Sequence, residues 1–168
     1  MIVSVDIETL ATSFNAAIVQ IAAVKLHPSG VEVGALSRVI DRDQGRAIDQ
    51  DTLDWWSQFG GPPDERTPPG DLVDLPTALG ELAAMIQDGD TVWAKGPSFD
   101  LVILRHAYAQ HGQLPPWHYR HERCVRTAQA QIRARGIQEP VLRGTAHDAL
   151  ADARHQGEII KIAMEYWT

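Results

Sequence analysis

Apolar and polar positions divide the chain into a run of strands followed by a run of helices. "IVSVDIET" (2–9) and "AAIVQIAAVKL" (16–26) are β-branched apolar runs, and "VEVGALSRVI" (31–40) follows the turn signal "HPSG". Three successive strands with short connections predict an antiparallel meander. The next stretch, "DRDQGRAIDQDTLDWWSQFGGPPDERTPPGD" (41–71), is polar and rich in Gly and Pro, with one short helical patch centred on "DTLDWWSQF". A long excursion of this kind between core elements is a functional segment rather than a linker. "LPTALGELAAMIQDGD" (75–90) predicts an amphipathic helix, with Leu75, Leu79, Leu82 and Ile86 near helical spacing. "TVWAKG" (91–96) follows as a short strand, and "SFDLVILRHAYAQHG" (98–112) as a helix stopped by Gly112. "CVRTAQAQIRARG" (124–136) predicts a further helix ending at Gly136. "GTAHDALADARHQGEIIKIAMEYW" (144–167) predicts a long last helix, with Thr145 as its cap and Asp148 completing a capping box. This order of elements predicts an α/β fold with a mixed sheet.

The 168 residues suffice for one domain with a sizeable core, and no change of composition forces a second, so residues 1–168 are expected to form a single domain. No apolar run approaches the roughly 20 residues needed to span a bilayer, and the N-terminus lacks the features of a secretory leader. A cytoplasmic protein without membrane contact is the expectation. The single cysteine, Cys124, excludes an intramolecular disulfide and a multi-cysteine zinc site, which fits a reducing compartment. The net charge of −7 argues against a nucleic-acid partner until its distribution is considered. Residues 1–100 carry 6 Lys/Arg against 16 Asp/Glu, whereas residues 101–168 carry 9 against 6, with Arg120, Arg123, Arg126, Arg133 and Arg135 crowded together. Part of the acidic excess is of the kind that bound cations neutralise, so a phosphate substrate is not excluded.

Strand side chains alternate, so Asp6 and Glu8 point to one face and Ile7 to the other. Two carboxylates held together raise one another's pKa unless a cation or base offsets them. Asp100 lies just after a short apolar strand, where an acid also serves a helix N-terminus in the ordinary way. His147, Asp148 and Asp152 lie at the opening of the last helix, where acids again have an ordinary role. Asp148 precedes Asp152 by four residues, and capping suits it better than metal ligation.

Taken in order, Asp6, Glu8, Asp100 and His147 with four residues before Asp152 resemble the DEDDh branch of the DnaQ-like 3′–5′ exonucleases, whose fold is RNase H-like: a mixed central β-sheet flanked by α-helices. Within that superfamily "TLDWWSQF", "VWAKGPSFD", "PPWHYRHERCVRTA" and "HDALADA" are similar to the exonuclease VIII-like group, which includes phage-type exonucleases and a mycobacterial-type exoribonuclease. The resemblance implies two divalent ions, Mg²⁺ or Mn²⁺, with Asp6, Glu8, Asp100 and Asp152 as ligands and Asp6 as the bridge between them. The residue types agree, since hard cations take oxygen donors and phosphodiester hydrolysis uses two such ions. An imidazole exchanges its proton near neutrality, which suits His147 to accept one from the attacking water. Five residues of helix turn through about 500°, so His147 and Asp152 do not share a helix face. His147 is therefore expected on the loop or first turn leading into the helix.

Around the third acid the chain departs from the wider superfamily, having Lys95, Gly96, Pro97, Ser98 and Phe99 before Asp100 where many members carry a His-Asn pair. Lys95 becomes a candidate phosphate contact and Phe99 a candidate contact that also serves the core. Trp55 and Trp56 are candidates for stacking on unpaired bases, one facing the cleft and one inward, because adjacent helix residues diverge. The resemblance also places Thr9 and Leu10 beside the terminal nucleotide, with Leu10 wedged against its base. Arg120, Arg123 and Arg126 form the candidate phosphate cluster. The leading expectation is a metal-dependent exonuclease on single-stranded RNA or DNA 3′ ends or 3′ overhangs, with RNA slightly favoured, releasing 5′-mononucleotides. The rivals are a catalytically inactive nucleic-acid-binding module and a metal phosphohydrolase of small nucleotides. Resemblance further implies a phage or bacterial setting and a homodimer in which one subunit's Arg-rich segment serves the other's cleft.

Overall fold

The computed structural model describes residues 1–166. Five strands form one mixed sheet in the order β3-β2-β1-β4-β5. The meander consists of β1 (Ile2–Thr9), β2 (Ile18–Leu26) and β3 (Glu32–Val39), paired antiparallel as their short connections require. On the other side of β1, β4 (Thr91–Ala94) and β5 (Glu122–Cys124) run parallel. The strand β5 has no counterpart in the sequence reading. Its three residues, two of them charged, are too few to show a period.

The faces of β1 sort by residue type. Val3, Val5 and Ile7 join a core with α3 (Leu75–Met85) and α4 (Asp100–Gln110). On the opposite face Ile2 packs with α5 (Val125–Ala134) and α6 (Ala149–Met164). Ser4, Asp6 and Glu8 share that second face by alternation. The sheet is thus sandwiched, and β2, covered on both sides, is buried at every position. That burial explains its continuous apolar sequence.

The excursion after β3 contains α1 (Gln50–Ser57) and the four-residue α2 (Pro63–Arg66). Trp56 pins α1 to the end of β1: it is 1% exposed, and its indole N–H donates to the carbonyl of Thr9 at 2.9 Å. Asp64 on α2 is buried and held by Arg42, whose guanidinium also meets Glu65 at 2.8 Å.

The last helix begins later than the sequence suggested. Asp148, not Thr145, is its N-cap, with its carboxylate accepting from the Ala151 N–H at 3.0 Å. Thr145 lies in the preceding loop, because His147 takes a left-handed conformation (φ 61°) that no helix can contain. The end of the expected helix at Trp167 lies outside the described residues. Among the described residues no helix is long and apolar enough to cross a membrane.

Candidate active site

The central strand, the start of α4 and the start of α6 bring four carboxylates to one point. Asp6 and Glu8 come from β1, Asp100 is the first residue of α4, and Asp152 stands in the first turn of α6. The expected common face of Asp6 and Glu8 is present. The expected loop position of His147 is present too, with its backbone N–H donating to Asp152 Oδ2 at 3.0 Å. One donor atom from each of Glu8, His147 and Asp152 lies within 4.8 Å of the others.

Burial dominates the electrostatics. Asp6 is pushed well above the usual carboxylate range by desolvation, then by the charges of Asp100, Glu8 and Asp152, while a hydrogen bond from Gln156 opposes the shift. Glu8 rises to about 8, first through desolvation and then through Asp152, Asp100 and Asp148, with Arg66 pulling the other way. Asp100 rises to about 6 by desolvation, moderated by the backbone amides of Asp100 and Ile7 and by Arg126. Crowding of this kind disfavours the charged forms of Asp6, Glu8 and Asp100 unless positive charge is brought among them. Carboxylate oxygens are the donors preferred by hard divalent cations, so the residues fit the ions that the acid pattern implies.

Two polar residues that the sequence reading passed over complete the cluster. Gln156 is 1% exposed and donates through Nε2 to Asp6 Oδ1 at 2.6 Å. It sits one turn beyond Asp152 on the same face of α6, a spacing that could have identified it. Its Oε1 is buried with no hydrogen-bond partner among the described residues. Gln20, opposite Glu8 in the β1–β2 register, accepts from the Ala149 N–H at 3.2 Å and so ties the start of α6 to the sheet. Arg66 was missed as well. It gave no signal within a polar, proline-rich stretch.

Beside the acids lies a cavity of about 780 Å³, lined by Glu8, Thr9, Thr12, Asp49, Trp55 and Phe99 among others. That size is typical of small-ligand sites. Thr9 and Phe99 are therefore at the cavity as expected, and Phe99 also packs against the main core. Of the two indoles, Trp55 is the outward one, at 37% exposure. Trp56 is the inward member of the pair: it retains almost no free surface, so it is a structural pin and not a stacking platform. Leu10 is corrected. Its side chain is fully buried with Ala17, Val19 and Trp56, so it cannot wedge against a base.

Among the arginines, Arg126 comes to the site. A Cβ added to Gly96 would lie 2.7 Å from Arg126 Nη1, and Gly96 has a φ of 117°, so glycine serves both the turn and the close approach of the guanidinium. Arg120 instead lies over the ring of Tyr119, and Arg123 donates to the carbonyls of Arg120 and Glu122, both at the surface. Lys95 is half-buried just beyond the end of β4.

Comparison with solved structures places this fold among known exonucleases. E. coli exonuclease I in complex with a dT13 oligonucleotide aligns over 96% of this chain at 16% identity and a TM-score of 0.77. Exonuclease I from Methylocaldum szegediense aligns over 99% at 17% identity and the same TM-score. The chain spans about 40% of the length of these two proteins. Exonuclease X in complex with 5′-overhanging duplex DNA aligns over all of this chain and 95% of its own, at 19% identity and a TM-score of 0.64. No individual curated protein matches by sequence. The model of one family does match, across residues 1–164, and with the mixed sheet and the converging acids it leads to one assignment: the chain belongs to the Rv2179c-like 3′–5′ exoribonuclease domain family.

Proposed function

We propose that the chain is a metal-dependent 3′–5′ exonuclease that shortens single-stranded 3′ ends or 3′ overhangs, RNA in preference to DNA, and releases 5′-mononucleotides. The observation that carries this reading is the convergence of Asp6, Glu8, Asp100 and Asp152 beneath His147, at the mouth of a cavity large enough for a nucleotide. The four carboxylates would hold two divalent ions, Mg²⁺ or Mn²⁺. When bound, such ions activate water and offset charge on the phosphoryl and leaving oxygens.

The remaining work falls to the chain. The terminal nucleotide enters the cavity at Thr9, between the Trp55 side and Phe99. An imidazole nitrogen of His147 takes the proton of the attacking water. Arg126 beside Asp100 and Arg66 on the Glu8 side supply positive charge for the entering phosphodiester. Gln156 fixes the orientation of the Asp6 carboxylate through its amide, as an outer hydrogen-bond partner does for a metal ligand.

The test is a matched set of single-stranded RNA, single-stranded DNA, duplexes with 3′ overhangs and free nucleotides, each assayed with Mg²⁺ and with Mn²⁺. Shortening of the single-stranded and overhanging substrates, RNA fastest, is expected. Turnover of free nucleotides alone would point to a small-nucleotide phosphohydrolase. Binding without turnover would point to an inactive module.

A further inference from the structure

The imidazole of His147 does not stand free over the acids. Its centroid lies 4.7 Å from that of Trp55 and 4.7 Å from that of Phe59, at interplanar angles of 80° and 61°. The Trp55 and Phe59 rings are themselves 4.8 Å apart. The Trp56 ring lies farther from the same imidazole, at 6.3 Å. Three aromatic side chains from one short segment thus converge on a single histidine.

The backbone of His147 gives that convergence a purpose. Among the described residues it is the only non-glycine with a positive φ, a conformation disfavoured for any side chain with a Cβ. It stands in a loop between α5 and α6 without helix or strand, so the loop's regular hydrogen bonding does not fix its side chain. Asp152 holds the backbone N–H, which places the residue but leaves the ring free to rotate about its own bonds. Side-chain rotation would carry the imidazole away from Glu8 and Asp152, whose oxygens it now approaches within 4.8 Å. Trp55 and Phe59 restrict that rotation. They can do so because they stand four residues apart on the segment of α1 and its exit, which Trp56 fastens to the Thr9 carbonyl.

We propose that Trp55 and Phe59 are positioning residues for His147, gripping its imidazole edge-on so that a ring nitrogen stays aimed at the acid cluster. The proposal rests on the reading of the chain as a nuclease with His147 as its base, and it gives the aromatic pair a task other than stacking on a nucleobase. Phe59 is the more informative of the two, because it is absent from the part of the cavity wall formed by Thr9, Trp55 and Phe99. At 39% exposure it also tolerates truncation without opening the core.

Two measurements test the proposal, one of them independent of activity. The imidazole protons of His147, identified in NMR spectra by their absence in His147→Gln, should carry ring-current shifts that change in Phe59→Ala, as the Phe59 ring is lost and the imidazole reorients against the remaining indoles, and that are largely kept in Phe59→Tyr. Unchanged shifts in Phe59→Ala would overturn the proposal even if the chain proved to cleave nothing. In steady-state cleavage of a single-stranded oligonucleotide, Phe59→Ala should lower kcat roughly ten- to a hundredfold with KM nearly unchanged, as small misplacements of a catalytic group do. Phe59→Tyr should restore most of it. In a His147→Ala background, Phe59→Ala should cost nothing further, because the group it positions is already gone. An equal loss in both backgrounds, or a rise in KM at constant kcat, would overturn the proposal. Thermal melting of Phe59→Ala and Phe59→Tyr verifies that both variants are folded.

Discussion

Gln156 and Asp6 form the shortest polar contact within the acid cluster, a bond of 2.6 Å from a buried amide N–H to a half-buried carboxylate. Burial of Asp6 among three other carboxylates is unfavourable on its own, and the Gln156 amide supplies one of the few opposing interactions. Gln156→Leu, which keeps the volume and removes the donor, is expected to weaken Mn²⁺ binding about 10- to 100-fold, measurable by calorimetry, since outer hydrogen bonds orient metal ligands with that leverage. Unchanged affinity would show that Asp6 needs no partner to be held. The sequence alone picked out as candidates the four acids and His147, which the fold brings together, because their order and spacing are specific as a set. It misassigned Leu10 and left open which of Trp55 and Trp56 faces inward, because a residue type says that a side chain can touch a base, not which way it points. The direction comes from packing: Leu10 and Trp56 bury each other, a tertiary contact across 46 residues of chain that no local pattern encodes.

The start of α6 joins three tasks within six residues: His147 on the loop, Asp148 at the cap and Asp152 in the first turn. Asp148 accepts from the Ala151 N–H and lies 3.5 Å from Gln20 Nε2, so it both ends the loop and ties it toward β2. Asp148→Ala is expected to lower stability by about 1 kcal/mol through loss of the cap, seen as a shifted denaturant midpoint. It should slow cleavage more than that figure suggests, because the loop it anchors carries His147. If stability fell with kcat untouched, the cap would be shown not to position the base. Most elements were legible from apolar periodicity: the meander, the short helix at the tryptophans and the four longer helices fall within a few residues of expectation. The exceptions have physical causes. Thr145 and Asp148 both fit a capping pattern, and only the left-handed backbone at His147 decides between them. The strand β5 owes its place to pairing with β4, not to its own three residues.

The converging charges make the fold dependent on pH and on cations. Glu8 has a folded-state pKa near 8 against an ordinary 4.5, and Asp100 one near 6 against 3.8. Between those limits the folded chain keeps protons that the unfolded chain gives up, so the metal-free protein loses stability as pH rises from about 4 through about 8. Divalent cations bound by the ionised carboxylates, as proposed, would reverse the loss. Melting temperatures in a chelator should therefore fall between about pH 5.5 and pH 8.5, and added Mg²⁺ or Mn²⁺ should raise them most at the higher value. A metal effect larger at the lower pH would contradict the charge assignment. Glu8→Gln should stabilise the metal-free form above pH 7 and abolish most of the rescue by metal. The same four acids carry the central claim, that this fold removes nucleotides from 3′ ends with divalent cations. The most direct measurement compares one single-stranded RNA labelled at its 5′ end with the same RNA labelled at its 3′ end, in Mn²⁺, for the wild type and Asp6→Asn. The wild type should give a shrinking ladder from the 5′ label and immediate release of labelled mononucleotide from the 3′ label, and neither should appear in Asp6→Asn or in chelator. Mononucleotide released first from the 5′ label, or full activity in Asp6→Asn, would contradict the central claim.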